Sequence, residues 1–258
     1  MFKFKGLIRI VNLKAILIAA LAVLSTYLSL KFEVLAKFPL TIIATAIIFP
    51  VVFSIGGAYK RREQALDHYA NLKAHGRAIY FAARDWTEQA DKASLQRFRE
   101  ELKTLFEASK TLFKNPQSDM RKNEEAVYKA FSNLSKTIRT ELREKGLATG
   151  EVSRCNQYLS KMFVSFERIK HIYQYRTPNS LRAFSDFFIS ILPIVYGPYF
   201  AQISQEFSPH LIYVMPILLT FILVSLDNIQ DHLENPFDEI GEDDITINTE
   251  QFIQRLYD

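Results

Sequence analysis

The sequence has few of the residues from which enzyme active sites and metal centres are built. Its single cysteine, Cys155, excludes an intrachain disulfide and any metal site that needs two cysteines. No G-x-S-x-G, H-E-x-x-H or G-x-x-x-x-G-K-[ST] motif occurs. Only His68 and His75 share a helix face, and their seven-residue spacing differs from the i,i+4 spacing of paired metal ligands. These absences predict that the chain is not an enzyme. Its net charge of +4 is too small to indicate nucleic-acid binding.

Charged residues are also nearly absent from four apolar segments, which are typical of membrane-spanning helices. The predicted spans are residues 13–32, 39–58, 184–200 and 211–226. The second span has 20 uncharged residues, enough at 1.5 Å per residue to cross the ~30 Å hydrocarbon core. A secretory signal is the alternative for the first segment, but another apolar run follows it without a small-x-small cleavage site.

The distribution of basic residues predicts the orientation of these spans. The first 14 residues carry four lysines or arginines and no acid, and Lys60-Arg61-Arg62 follows the second span. The predicted loop at 201–210 has neither lysine nor arginine. Basic loops stay in the cytoplasm, so both termini are expected on the cytoplasmic side. The protein itself is expected to be integral to a plasma, inner or organellar membrane.

The middle of the chain is charged and reads as helical throughout. Apolar residues recur every three or four positions, and no segment alternates as a strand would. The predicted inward positions are Leu95, Phe98, Leu102, Phe106, Ser109, Phe113, Val127, Phe131, Leu134, Ile138, Leu142, Leu159, Met162, Phe163, Phe166, Ile169, Lys170 and Tyr173. We therefore predict an all-α, four-span membrane protein with a cytoplasmic helical bundle. Its expected parts are membrane hairpins at 1–59 and 183–228, the bundle at 60–182, and an acidic cytoplasmic tail at 229–258.

Two features of the membrane-type segments carry functional alternatives. Apolar side chains line one face of the second span and would face a pore, lipid or partner helices. After Asn235-Pro236-Phe237, an acidic run that includes Asp243 and Asp244 would bind a hard cation such as calcium, or dock basic residues. Asp186 and Asp227 lie at span edges and are interpreted as structural.

Three stretches of the sequence resemble motifs of the bestrophin family. They are SLDNIQDHLENPFD at 225–238, the Thr177-Pro178 pair with Leu181-Arg182 and Leu192-Pro193, and FSIGGAYKRRE at 53–63. In the last of these, Tyr59, Arg61 and Glu63 match, whereas Ser54 and Ile55 replace an Arg-Asn pair. The middle helices are similar only in type and length.

The resemblance implies a homopentameric channel for chloride or other monovalent anions, with a central pore narrowed by an apolar neck. Carried over by position, the neck residues are Phe38, Ile42, Ala46 and Phe49. The possible calcium or basic-partner site is Asn235, Asp243 and Asp244, and no other cofactor is expected. The expected partners are copies of the chain itself, membrane lipid and small anions. The alternative is a non-conducting scaffold or sensor whose cytoplasmic helices bind a partner.

Overall fold

In the computed structural model, the described residues 12–37, 40–87, 91–114, 119–207, 211–237 and 244–256 contain helices and connecting turns but no strand. The helices are α1 Leu13–Lys31, α2 Leu40–Asp85, α3 Lys92–Lys114, α4 Met120–Ile138, α5 Thr149–Gln174, α6 Asn179–Val195, α7 Gly197–Phe207, α8 Val214–Glu234 and α9 Thr249–Gln254. A π-helical turn, Arg139–Arg143, extends α4. The all-α prediction is confirmed.

The chain forms two compact units. The first comprises Met1–Lys60 and Arg176–Glu234, and the second comprises Arg61–Tyr175 and Asn235–Asp258. The 46-residue helix α2 contributes its first part to one unit and the remainder to the other. The second apolar segment and the charged segment that follows it therefore form one continuous helix.

The first unit is built from long apolar helices. Helix α1 packs against α6, α7 and α8. The shared core is apolar: Ala15, Ile18, Ile47, Val51, Ile189, Leu192, Tyr196, Phe200, Leu223 and Val224. By length and composition, three helices (α1, α2 and α8) are suited to crossing a membrane, and α6 with the first part of α7 makes a fourth if that bent pair is one span.

The break between α6 and α7 is bent by 41°. Pro198 has no N–H to donate to the carbonyl of Ile194, four residues earlier. The hydroxyl of Ser25 on α1 supplies that hydrogen bond instead, at 2.7 Å. Proline is tolerated in a first helical turn, so the chain resumes as α7. The prediction of a loop at 201–210 was therefore wrong for residues 201–207, which are helical.

The second unit buries the helical stripes that the sequence predicts. Phe98, Leu102, Phe106 and Phe113 of α3 are almost completely buried. So are the expected residues of α4 and α5: Val127, Leu134, Ile138, Leu142, Met162, Phe166 and Ile169. Phe163, predicted to face inward, is instead 39% exposed, because the core of α5 follows Met162 and Phe166.

The polypeptide after α8 joins this core. Phe237 stacks on Phe113 with ring centroids 5.0 Å apart, and Phe252 lies 4.4 Å from Phe106. Ile245 and Ile247 are also buried. The second unit is therefore completed by the end of the chain and not by its helical middle alone.

Candidate pore-lining face

The first part of α2 has two opposed faces. Its buried face carries Ile47, Val51, Ser54 and Ala58, at steps of four, three and four residues. Its exposed face carries Ile42, Ala46, Phe49 and Phe53, with the same steps. A helix of 3.6 residues per turn places each set on one side, so the buried set anchors α2 in its unit while the exposed set faces outward.

Three of the four predicted neck residues lie on this exposed face. Ile42 is 69% exposed and Phe49 is 61% exposed, and Ala46 is also exposed. Phe38 lies outside the described residues. The sequence prediction missed Phe53, although its spacing of four from Phe49 could have identified it. The rings of Phe49 and Phe53 make an edge-to-face contact with centroids 4.6 Å apart, so Phe53 extends the apolar face by one turn.

Pro50 lies one residue beyond Phe49 and changes the polarity of this face. Helix α2 continues through it. A proline cannot donate the backbone hydrogen bond that the carbonyl four residues earlier would otherwise accept. Here that carbonyl belongs to Ala46, an exposed member of the stripe. The otherwise apolar face thus contains a carbonyl oxygen that lacks its usual helical donor.

A lysine from α1 joins two acids at one end of the first unit. The Lys14 ammonium lies 2.7 Å from the Asp227 carboxylate and 3.3 Å from that of Asp186. The neighbouring Asn12 caps α1 and donates a hydrogen bond to Asn228 at 2.9 Å. The side chain of Asp227 is only 4% exposed, so the lysine neutralises a buried charge. The interpretation of both acids as structural agrees with this geometry.

A second basic residue links α6 to the end of α8. Arg182 lies 2.7 Å from Asp231 and 2.6 Å from Glu234, whose side chain is 3% exposed. Sequence reasoning did not pair Lys14 or Arg182 with these acids, because nothing in one sequence pairs residues more than forty positions apart. Gln230 is buried beside this pair, and its Oε1 has no hydrogen-bond partner among the described residues.

Two of the three proposed calcium ligands are neighbours in the second unit. The amide of Ile245 donates a 2.6 Å hydrogen bond to the carbonyl of Pro236, which brings Asp244 close to Asn235. Asp243 lies outside the described residues. Calcium takes six to eight oxygen ligands, and the described residues contain no group of three or more His, Cys, Asp or Glu arranged for a metal. Asn235 and Asp244 alone supply too few oxygen ligands, so the calcium site stays a prediction that the described residues do not test.

A half-buried charge network in the second unit joins α4 to α5. The Lys170 ammonium lies 2.6 Å from Glu124 and 2.8 Å from Glu167, and the Tyr128 hydroxyl lies within hydrogen-bond distance of both carboxylates, at 2.7 Å and 2.9 Å. Hydrogen bonds from Lys170 and Tyr128 lower the pKa of Glu124. Burial, which lowers the pKa of Lys170, is outweighed by its two carboxylate partners, so the net direction is upward. Burial also raises the pKa of Tyr128, to about 12.

Comparison with known proteins gives the fold of this chain but no sequence family. No family model matches the sequence. No curated protein matches it either.

Solved structures match almost the whole chain. A bacterial bestrophin homologue from Klebsiella pneumoniae matches at a TM-score of 0.72 and 15% identity, over 94% of this chain and 96% of its own. A single-substitution variant of that homologue matches at 0.75 and 16%, over 94% and 95%. A further crystal structure, described as a membrane protein, matches at 0.75 and 13%, over 94% and 96%. The chain therefore has the fold of the bacterial bestrophin homologues.

Proposed function

We propose that this chain forms a homo-oligomeric, bestrophin-like ion channel in which α2 lines a central pore. The observation that carries the proposal is the end-to-end likeness to bestrophin homologue structures, which covers both membrane-type hairpins and the intervening helices. The exposed apolar face of α2 supports it, because large apolar side chains opposite the packed face need a partner, lipid or a pore. The proposed assembly is a pentamer.

In this arrangement the neck is a stack of rings formed by Phe38, Ile42, Ala46 and Phe49 from each copy. A ring of apolar side chains resists wetting and makes an ion lose part of its hydration shell. Large, weakly hydrated anions lose that water at the lowest cost, which favours them over small anions. Ala46 has the smallest side chain of the four, so its ring is the widest and the Ile42 and Phe49 rings dominate the barrier.

The proposal that anions are conducted rests on the resemblance to bestrophins, and one local feature of α2 favours cations instead. A ring of Ala46 carbonyls, each deprived by Pro50 of its helical donor, would present oxygens that coordinate cations. Cation conduction is therefore the second candidate. The reversal potential in asymmetric salt decides between the two: it moves toward the anion equilibrium potential if anions carry the current.

The experiment begins with the mass of the purified, detergent-solubilised particle, followed by ion flux in liposomes. Ile42→Ala is expected to raise conductance or loosen gating, because it removes most of an apolar ring. Ile222→Ala is the matched control, since Ile222 is a 49%-exposed isoleucine on α8. Unchanged currents in Ile42→Ala would place this residue away from the neck.

The first part of the experiment also separates the channel from the scaffold. A monomeric or dimeric particle would contradict the channel, since a pore on the symmetry axis needs a ring of copies. A pentamer without flux would favour a non-conducting scaffold or sensor. We further propose that both termini are cytoplasmic, which labelling of terminal cysteines from either side of the membrane would test.

A further inference from the structure

The second unit has an open groove between α2 and α5, with a volume of about 670 Å³. Gln64 and His68 of α2 form one side. Only four large apolar side chains in the described part of this unit are exposed, and three of them, Phe163, Val164 and Tyr175, line the groove. An exposed apolar patch on an otherwise well-packed unit marks a surface that a partner covers.

The charge of this groove indicates the kind of partner. The acid that lines it, Glu167, is already paired with Lys170. Arg168 and His171 are exposed, and Arg168 makes no salt bridge within the part of the chain that is described. The groove therefore presents an apolar floor and an unpaired arginine, which together suit a surface with an apolar projection beside a carboxylate.

Leu66 and Asp67 of α2 form such a surface. Leu66 is the fourth exposed apolar side chain of this unit, at 40%. It lies two residues from both Gln64 and His68, and two helical residues turn the side chain by about 200°. Leu66 thus points away from the groove. The next residue, Asp67, has a side chain that is 70% exposed, and its carboxylate lies 3.8 Å from the His68 ring of the same copy.

A ring of identical copies requires two different, complementary surfaces on each copy. Rotation about the ring axis does not change height along that axis, so the two surfaces must also lie at the same height. With α2 along the pore axis, Leu66 lies between Gln64 and His68, within about 3 Å of either along the helix. The projection and the groove therefore satisfy the height condition.

We propose that the α2–α5 groove of one copy receives Leu66 of the next copy, with Asp67 facing Arg168, and that this contact closes the ring in the second unit. The inference rests on the proposed homo-oligomeric channel and names its subunit contact. It identifies the partner as a second copy of this chain, bound head-to-tail and not face-to-face.

Cross-linking of engineered cysteines tests this contact in the full-length protein. Leu66→Cys combined with Val164→Cys, treated with a short bis-maleimide, is expected to give a ladder of covalent oligomers on a denaturing gel. Each single variant should remain monomeric, because a head-to-tail contact never brings the same residue of two copies together. The native Cys155 adds little background, since burial raises the pKa of its thiol to about 11.

Gln64→Cys combined with Val164→Cys is the matched control, because both residues line the groove of one copy. It should react within a single chain and leave the mass unchanged. If the native particle is an oligomer but the Leu66→Cys/Val164→Cys variant gives only a monomer band on the gel, this inference alone is overturned. A cross-linked dimer from either single variant overturns it as well. A monomeric native particle overturns the inference and the channel together. Arg168→Glu should weaken the oligomer, and adding Asp67→Arg should restore it; failure of that rescue also counts against the contact.

Discussion

Substitution of Gly197 by alanine tests how the two membrane-type hairpins are held together. Gly197 begins α7 and lies against Ser25 of α1. A Cβ atom at this position would overlap the Ser25 hydroxyl, and it would lie 2.8 Å from the Ser25 carbonyl carbon and 2.9 Å from its Cβ. The hydroxyl can rotate away, but the other two atoms belong to the α1 backbone or are fixed to it. The helices must therefore move apart.

The expected cost follows from this geometry. Overpacking a tight core costs about 1–3 kcal/mol. Alanine recovers roughly 0.5–1 kcal/mol through its better helix propensity, so the net loss lies between about 0 and 2.5 kcal/mol, with a midpoint near 1 kcal/mol. Gly56→Ala is the control, because a Cβ at Gly56 meets nothing within 4 Å and only the propensity gain remains. Thermal unfolding of both variants in detergent measures the difference.

A double substitution separates the two consequences of the clash. The Ser25 hydroxyl also supplies the hydrogen bond that Pro198 cannot give to Ile194. Ser25→Ala alone should cost about 1 kcal/mol. In the Gly197→Ala background it should cost less, because the clash has already broken that bond. A Gly197→Ala protein as stable as Gly56→Ala, or strictly additive costs, would refute the tight contact between α1 and α7.

The remaining predictions concern the charge pairs. Lys14→Met should destabilise the protein by about 1–3 kcal/mol, because it leaves the buried Asp227 carboxylate without its cation, whereas Lys14→Arg should retain most of the stability in a melting experiment. Equal melting temperatures for wild type and Lys14→Met would contradict the pairing. Because its partners lower the pKa of Glu124, this acid stabilises the fold above its unfolded value near 4.5 and loses that contribution as the pH falls through its folded value. Glu124→Gln should therefore flatten the acid side of the stability–pH curve, and an unchanged slope would exclude this residue as the source.

Local periodicity predicted the secondary structure well where a helix has one apolar side. The stripes of α3 and α4 became core because their spacing of three and four already determines which residues face inward. The prediction of a loop at 201–210 was wrong at residues 201–207, because Pro198 falls in a first turn, where it is compatible with a helix, and α7 continues to Phe207.

The sequence predicts which residues share the candidate pore face, but not that this face is the exposed one. Ile42, Ala46 and Phe49 share a face by sequence alone, and so does Ile47 with Val51. Periodicity cannot say which of the two faces packs, because both are apolar. The apolar core of the first unit decided it, by burying Ile47 and Val51 and leaving Ile42 and Phe49 exposed.

The sequence by itself determined the all-α class and the apolar and charged segments, because helix periodicity and charge are properties of neighbouring residues. Only the tertiary structure decided which distant residues meet. It pairs Lys14 with Asp227 and places the Ser25 hydroxyl where it donates to the Ile194 carbonyl, which Pro198 leaves without a donor. It also packs Phe237 and Phe252 into the second unit. Each of these depends on how helices far apart in the chain approach one another, and that is set by the whole core and not by any local pattern.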